Sequence, residues 1–187
     1  MPDLFIIAGP NGAGKTTASY TILPEMLGIT QFVNADDIAK GLSPFNPGSV
    51  AIQAGRIMLT RIKNLIQMNS DFAFETTLSA KSYVQLIREA QNANYYTTLV
   101  FFYLDSPELA IERVRTRVLE GGHSIPEEIV RRRYAIGIYN FNHLFFNMVD
   151  KWMVFDNSNN PLTFVAEGLK GKQALIYDQI IWNNIKQ

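Results

Sequence analysis

Residues Gly9-Pro10-Asn11-Gly12-Ala13-Gly14-Lys15-Thr16 fit the pattern G-x-x-x-x-G-K-[ST]. Backbone amides in such a loop wrap nucleotide phosphates at a helix N-terminus, and glycine lets the chain come close enough. Lys15 is expected to reach the β- and γ-phosphates. Thr16 is expected to offer its hydroxyl to Mg²⁺. Thr17 opens the helix that follows and is kept with the loop. The rival reading, a glycine-rich turn without a ligand, fits poorly with a stretch that follows a strand and opens a helix. ATP and Mg²⁺ are therefore the expected cofactors, with Mg²⁺ arriving on the nucleotide because no metal-ligand cluster is visible.

Phosphate transfer also needs a group that orients the acceptor hydroxyl. The stretch "VNADD" (33–37) supplies Asp36 and Asp37 just after a strand. Asp36 is favoured as the base and Asp37 as a helix cap. A second strand ends in "FETTLSA" (74–80). Glu75 should emerge there at the active edge, with Thr76, Thr77 and Ser79 beside it for a hydroxyl-bearing substrate. Thr77 or Ser79 could equally cap the next helix. The polar loop "FDNSNNP" (155–161) could seat an adenine against Asp156 or Asn157, although a plain turn fits as well.

Six arginines fall between 113 and 133. Arg113 and Arg117 are four apart on one helix, a repulsive spacing unless an anion comes between them. Arg115 can pair with Glu112. Arg131 and Arg132 each have a glutamate four residues back, Glu127 and Glu128. Arg133 has none. Arg117 and Arg133 are therefore the expected phosphate contacts, with Arg113 or Arg131 as third choices. Solvated helix faces are the competing account. Gly121 and Gly122 read as a hinge, so the two arginine-bearing helices (about 113–134) read as a lid. His123 is a weaker substrate candidate, and His143 reads as a helix-face residue.

These groups need a scaffold. Apolar runs predict strands at 3–9, 29–34, 72–75, 95–104 and 151–156. Helical spacing predicts helices at 15–26, 50–68, 80–92 and 106–120. A capping box at Ser124–Glu127 should open another helix running to about 148. Residues 162–178 read as a late hairpin around Gly171. Strands alternating with helices imply a single α/β domain over 1–187, with a mainly parallel sheet and helices on both faces. This is the three-layer plan of P-loop kinases, and its ligands lie beyond the carboxyl ends of the strands.

Composition narrows the classes. The 187 residues are 47% hydrophobic and 18% charged. Lysine plus arginine equals aspartate plus glutamate at 17 each, which argues against a broad nucleic-acid surface. No cysteine is present, so thiol catalysis and disulfides are excluded. Apolar runs are too short to span a membrane, and "LFIIAG" reads as a core strand rather than part of a signal peptide. A cytoplasmic protein is expected.

Taken together, "AGPNGAGKTT", "FVNADDIAKGLSP", "AGRIML", "FAFETTLSA", "SPELAIERVRTRVLEGGHSIPEEIVRRRY" and "FDNS" resemble the stand-alone bacterial branch of the zeta-toxin family, in family order over residues 4–158. The resemblance implies an ATP-dependent kinase acting on the 3′-hydroxyl of UDP-N-acetylglucosamine or a related sugar nucleotide. It puts Lys15 on the ATP phosphates, Asp36 in the base position and Glu75 with Thr76 at the substrate. Arg117 and one of Arg131, Arg132 and Arg133 take the phosphate-stabilising positions. An antitoxin protein is the partner it suggests. One motif departs: Asn34-Ala35-Asp36 stands where sugar-nucleotide kinases carry a more acidic pattern followed by His-Pro. A nucleotide or nucleoside kinase, and an ATP-binding regulatory module with weak ATPase activity, are the alternatives.

Overall fold

The computed structural model describes residues 1–122 and 124–187, so the reading of His123 lies outside the described residues. The strands are β1 (Asp3–Ala8), β2 (Phe32–Val33), β3 (Phe72–Thr76), β4 (Tyr96–Tyr103), β5 (Lys151–Asp156), β6 (Thr163–Leu169) and β7 (Leu175–Ile176). They form one sheet in the order β2-β3-β1-β4-β5-β6-β7. The first five strands pair in parallel, and β6 and β7 add antiparallel. β1, β3 and β4 are largely buried because helices cover both faces, as parallel strands require. β5 alternates instead: Trp152, Val154 and Asp156 are buried while the residues between them are half-exposed.

The helices are α1 (Lys15–Met26), α2 (Ala35–Leu42), α3 (Ala51–Gln67), α4 (Ser82–Asn92), α5 (Pro107–Leu119), α6 (Glu127–Asn140) and α7 (Gln179–Lys186). β1 is the turning point of the topology. The chain goes to β3 and β2 on one side, and to β4 and β5 on the other. A crevice must open at the carboxyl ends of β1 and β3. Ala8 is in register with Thr76, so the loop after β1 and the pair Glu75-Thr76 emerge side by side.

Several expectations need correction. The second strand shortens to two residues. The helix expected to reach 148 ends at Asn140 and continues as a π-turn over Phe141–Phe145. That wider turn buries both Phe141 and Phe145, and Phe141 stacks on Phe101. The capping box at Ser124 does not form: Pro126 precedes α6 without a side-chain cap, and Glu127 pairs with Arg115 instead. Gly121 and Gly122 close the last turn of α5. Gly121 takes φ +88°, its N–H donates to the Val118 carbonyl at 3.0 Å, and Gly122 N–H donates to the Arg117 carbonyl at 2.8 Å. α7 had no forecast, and its Trp182 stacks on Trp152 within one buried cluster.

Along α6, Val130 packs in the cluster on one sheet face and Ile138 against the cluster on the other. The helix therefore crosses the carboxyl edge of the sheet and roofs the crevice. Gly137 permits the close crossing, since a Cβ there would lie 2.5 Å from the Thr77 carbonyl oxygen. Alanine exceeds glycine in helix propensity by about 1 kcal/mol. Forcing a methyl into a packed contact costs about 1–3 kcal/mol. The clash should win, and Gly137→Ala is expected to melt roughly 2–6 °C lower. A variant melting above wild type would show that the Thr77 loop yields freely.

Candidate active site

The phosphate loop joins β1 to α1. Gly9 adopts φ +143°, and a Cβ there would lie 2.2 Å from the Phe102 carbonyl oxygen, so only glycine lets the loop leave against β4. Gly12 and Gly14 also take positive φ. Asn157 braces the loop from below: its Nδ2 donates to the Ala13 carbonyl at 3.0 Å. It lines neither hollow described next. Asp156 is likewise engaged, accepting from Ser158 N at 3.0 Å.

Lys15 is almost fully buried. Its ammonium donates to the Pro10 carbonyl at 2.9 Å and lies 3.5 Å from Glu75 Oε1. Thr16 Oγ1 donates to Glu75 Oε2 at 2.7 Å, and Asn34 Nδ2 donates to the same oxygen at 2.9 Å. One carboxylate thus collects a lysine and a hydroxyl from α1 and an amide from the N-cap of α2. Asn34 was missed as a candidate in its own right. Its Oδ1 also accepts from Asp36 N at 2.8 Å, which makes it the N-cap of α2. This corrects the expectation that Asp37 caps that helix. Asp37 instead accepts from the Tyr20 hydroxyl at 2.7 Å and pairs with Lys40 at 3.5 Å. The Tyr20 phenol is pushed up to about 12, first by that hydrogen bond.

Two adjoining hollows open here. One, of about 200 Å³, is lined by Asn11, Gly12, Gly14, Lys15, Thr16, Thr17, Asp36, Glu75, Arg113 and Arg117. The other, of about 220 Å³, is bounded by hydroxyls and amides: Asn34, Thr76, Thr77, Ser79 and Tyr83, with Arg133 at its rim. Asn11, Lys15, Asp36 and Glu75 line both, so they form the wall between them. Asp37 lines neither. Neither Thr77 nor Ser79 caps α4, which starts after Lys81 without a side-chain cap; they hydrogen-bond each other at 2.8 Å. Tyr83 was a second omission. Burial pushes its phenol up, so its hydroxyl stays a donor at neutral pH. It stacks on Phe74 behind the hollow.

The arginines divide as side-chain positions, with partners that helical spacing did not foresee. Arg115 pairs with Glu127, and Arg131 with Glu108, each across the gap between α5 and α6. The expected partners were Glu112 for Arg115 and Glu127 for Arg131. These exposed pairs contribute little stability but set how the two helices align. Arg131 and Arg132 are exposed, while Arg113, Arg117 and Arg133 are half-buried. Arg113 donates to the Ser158 carbonyl at 3.1 Å. His143 lies on the helix surface, stacked on Tyr139.

Thr16 Oγ1 and Glu75 Oε2 are hard oxygen donors of the kind Mg²⁺ accepts beside phosphate. Among the described residues, no cluster of three or more His, Cys, Asp or Glu could hold a metal by itself. The donor set fits an ion that arrives with a nucleotide. Among those residues, no helix is long and apolar enough to cross a membrane.

The profile of the family described as Zeta toxin matches residues 1–165. An uncharacterized protein from Haemophilus influenzae (strain ATCC 51907 / DSM 11121 / KW20 / Rd) is 32% identical over 126 residues, 67% of this chain and 88% of that protein. Among solved structures, the AvrRxo1-ORF1:-ORF2 complex with ATP superposes with a TM-score of 0.80 at 16% identity, covering all of this chain. This chain spans 64% of that chain's length. The PezAT chromosomal toxin–antitoxin system of Streptococcus pneumoniae gives 0.65 at 14% identity, over 89% of this chain and 72% of that one.

Proposed function

Because the chain belongs to the zeta-toxin family, we propose that it transfers the γ-phosphate of ATP to a hydroxyl of a small molecule, a UDP-N-acetylated sugar being the leading acceptor. The observation that carries this reading is the shared wall: a phosphate-loop hollow and a hydroxyl-lined hollow meet at Asn11, Lys15, Asp36 and Glu75. ATP bound to the AvrRxo1 relative supports the nucleotide. An antitoxin partner belongs to the same proposal, since the pneumococcal neighbour is a toxin–antitoxin system.

In this reading Lys15 and the loop amides hold the β- and γ-phosphates, with Arg113 and Arg117 on the outer side. Mg²⁺ on Thr16 and Glu75 supplies charge neutralisation when bound. Asp36 aligns the acceptor hydroxyl and takes its proton. The acceptor oxygen bonds to the γ-phosphorus as the bond to the β,γ-bridging oxygen breaks, and ADP leaves. Arg117 and Arg133 face this point from α5 and α6 and spread the charge on the transferring group. Such contacts are worth about 10³ or more in rate.

The test uses γ-labelled ATP with a panel of nucleotide sugars, nucleosides and nucleoside phosphates, including UDP-N-acetylglucosamine. Label on a nucleotide sugar is expected. Label only on a nucleoside or nucleotide would move the assignment to a nucleotide kinase. Stoichiometric ATP binding with no labelled product would end the kinase reading.

A further inference from the structure

Asn11 sits third in the phosphate loop, where the motif leaves the residue type open. It is one of the four residues of the shared wall. The other three have tasks in the proposed reaction. Asn11 is 7% exposed, and its Oδ1 is buried without a hydrogen-bond partner. Lys15 donates its hydrogen bond to the Pro10 carbonyl, and Asn34 donates to Glu75, so neither nearby donor is directed at Asn11. Buried acceptors are nearly always satisfied, and an orphan in a pocket wall points to what the pocket binds.

An amide oxygen is an acceptor only. Phosphate oxygens are acceptors too, so they do not match Oδ1, whereas a donor group in the other hollow does. In the proposed reaction the single proton of the attacking hydroxyl goes to Asp36. A second donor on the acceptor, adjacent to the first, would supply the hydrogen bond that Asn11 lacks. Resting on the kinase reading above, we propose that Asn11 is the acceptor-positioning residue: its Oδ1 accepts a hydrogen bond from a hydroxyl or amide N–H neighbouring the phosphorylated oxygen. The site then selects a vicinal diol or hydroxy-amide over an isolated alcohol or water.

Two variants separate this role from a structural one. Asn11→Ala removes the acceptor atom. Asn11→Asp keeps an acceptor oxygen but sets a negative charge beside the phosphates. Acceptor KM, kcat and the ratio of transfer to ATP hydrolysis are measured with whichever panel compound wild type labels, alongside the Kd for ATP. For Asn11→Ala, the expectation is a roughly tenfold or larger rise in acceptor KM, a matching fall in the transfer-to-hydrolysis ratio and ATP Kd within about twofold, the loss of one hydrogen bond. For Asn11→Asp the pattern inverts: ATP Kd rises and acceptor KM stays close to wild type. An unchanged acceptor KM in Asn11→Ala overturns the assignment, as does a parallel shift of acceptor KM and ATP Kd in both variants. If wild type labels no compound of the panel, the kinase reading fails and takes this assignment with it; a labelled panel with Asn11→Ala unchanged removes Asn11 alone.

Discussion

Lys15→Ala is expected to lower phosphate transfer by roughly 10³-fold or more, the scale seen when a preorganised charge at a transition state is removed. Its ammonium is held by the Pro10 carbonyl and faces Glu75, so the charge is already aimed before a nucleotide binds. Removing it has a second effect. Glu75 is left nearly buried with only neutral donors, Thr16 and Asn34. Breaking one side of a buried pair costs about 3–5 kcal/mol when no other donors remain. Here two remain, so the loss of stability should be smaller. Melting temperature, ATP affinity and labelled product are the three measurements. A folded Lys15→Ala protein with full transfer activity would end the reading of this loop. A variant that fails to fold would be replaced by Lys15→Met, which keeps much of the side-chain volume.

Legibility in the sequence followed how local each determinant was. The phosphate loop is a contiguous motif, and its glycine positions are the ones that take positive φ or touch backbone. Glu75 could be placed by counting to the end of an apolar run. Asn34 could not, because Asn, Asp36 and Asp37 are comparable caps on propensity alone. Only the fold shows that Asn34 is also spent on a carboxylate 41 positions away. The contact of Asn157 with the loop was unforeseen for the same reason, its partner lying 144 positions back. The arginines are more instructive. Helical spacing separates Arg133 from Arg131, and the molecule keeps them apart: Arg131 is exposed and paired, while Arg133 is half-buried at a hollow. Yet Arg131 pairs with Glu108 on α5, because two helices packed side by side offer partners that single-helix spacing cannot see. The π-turn and α7 depend on aromatic packing between distant segments, which no local pattern encodes.

Asp36→Asn should separate chemistry from nucleotide binding. Asp36 is exposed, lies in the first turn of α2 and lines both hollows. A helix N-terminus favours an anion there, and the Asn34 cap fixes the backbone that carries it. In the proposed transfer the carboxylate receives one proton from the acceptor hydroxyl. An amide of the same shape can still touch that hydroxyl but cannot take the proton. Transfer is expected to fall by about 10²–10⁴-fold, the usual range for a general base. ATP Kd should change by less than about threefold, because the nucleotide is gripped by loop amides and Lys15. Asp37→Asn is the internal control. Its carboxylate is turned toward Tyr20 and Lys40, outside both hollows. It should lose only a surface contact worth about 0.5–1 kcal/mol and keep its transfer rate. Equal losses in the two variants would mean that the charge of the α2 N-terminus, rather than Asp36 itself, is what transfer requires. Unimpaired transfer in Asp36→Asn would remove Asp36 from the base role and leave Glu75 as the remaining carboxylate on the shared wall.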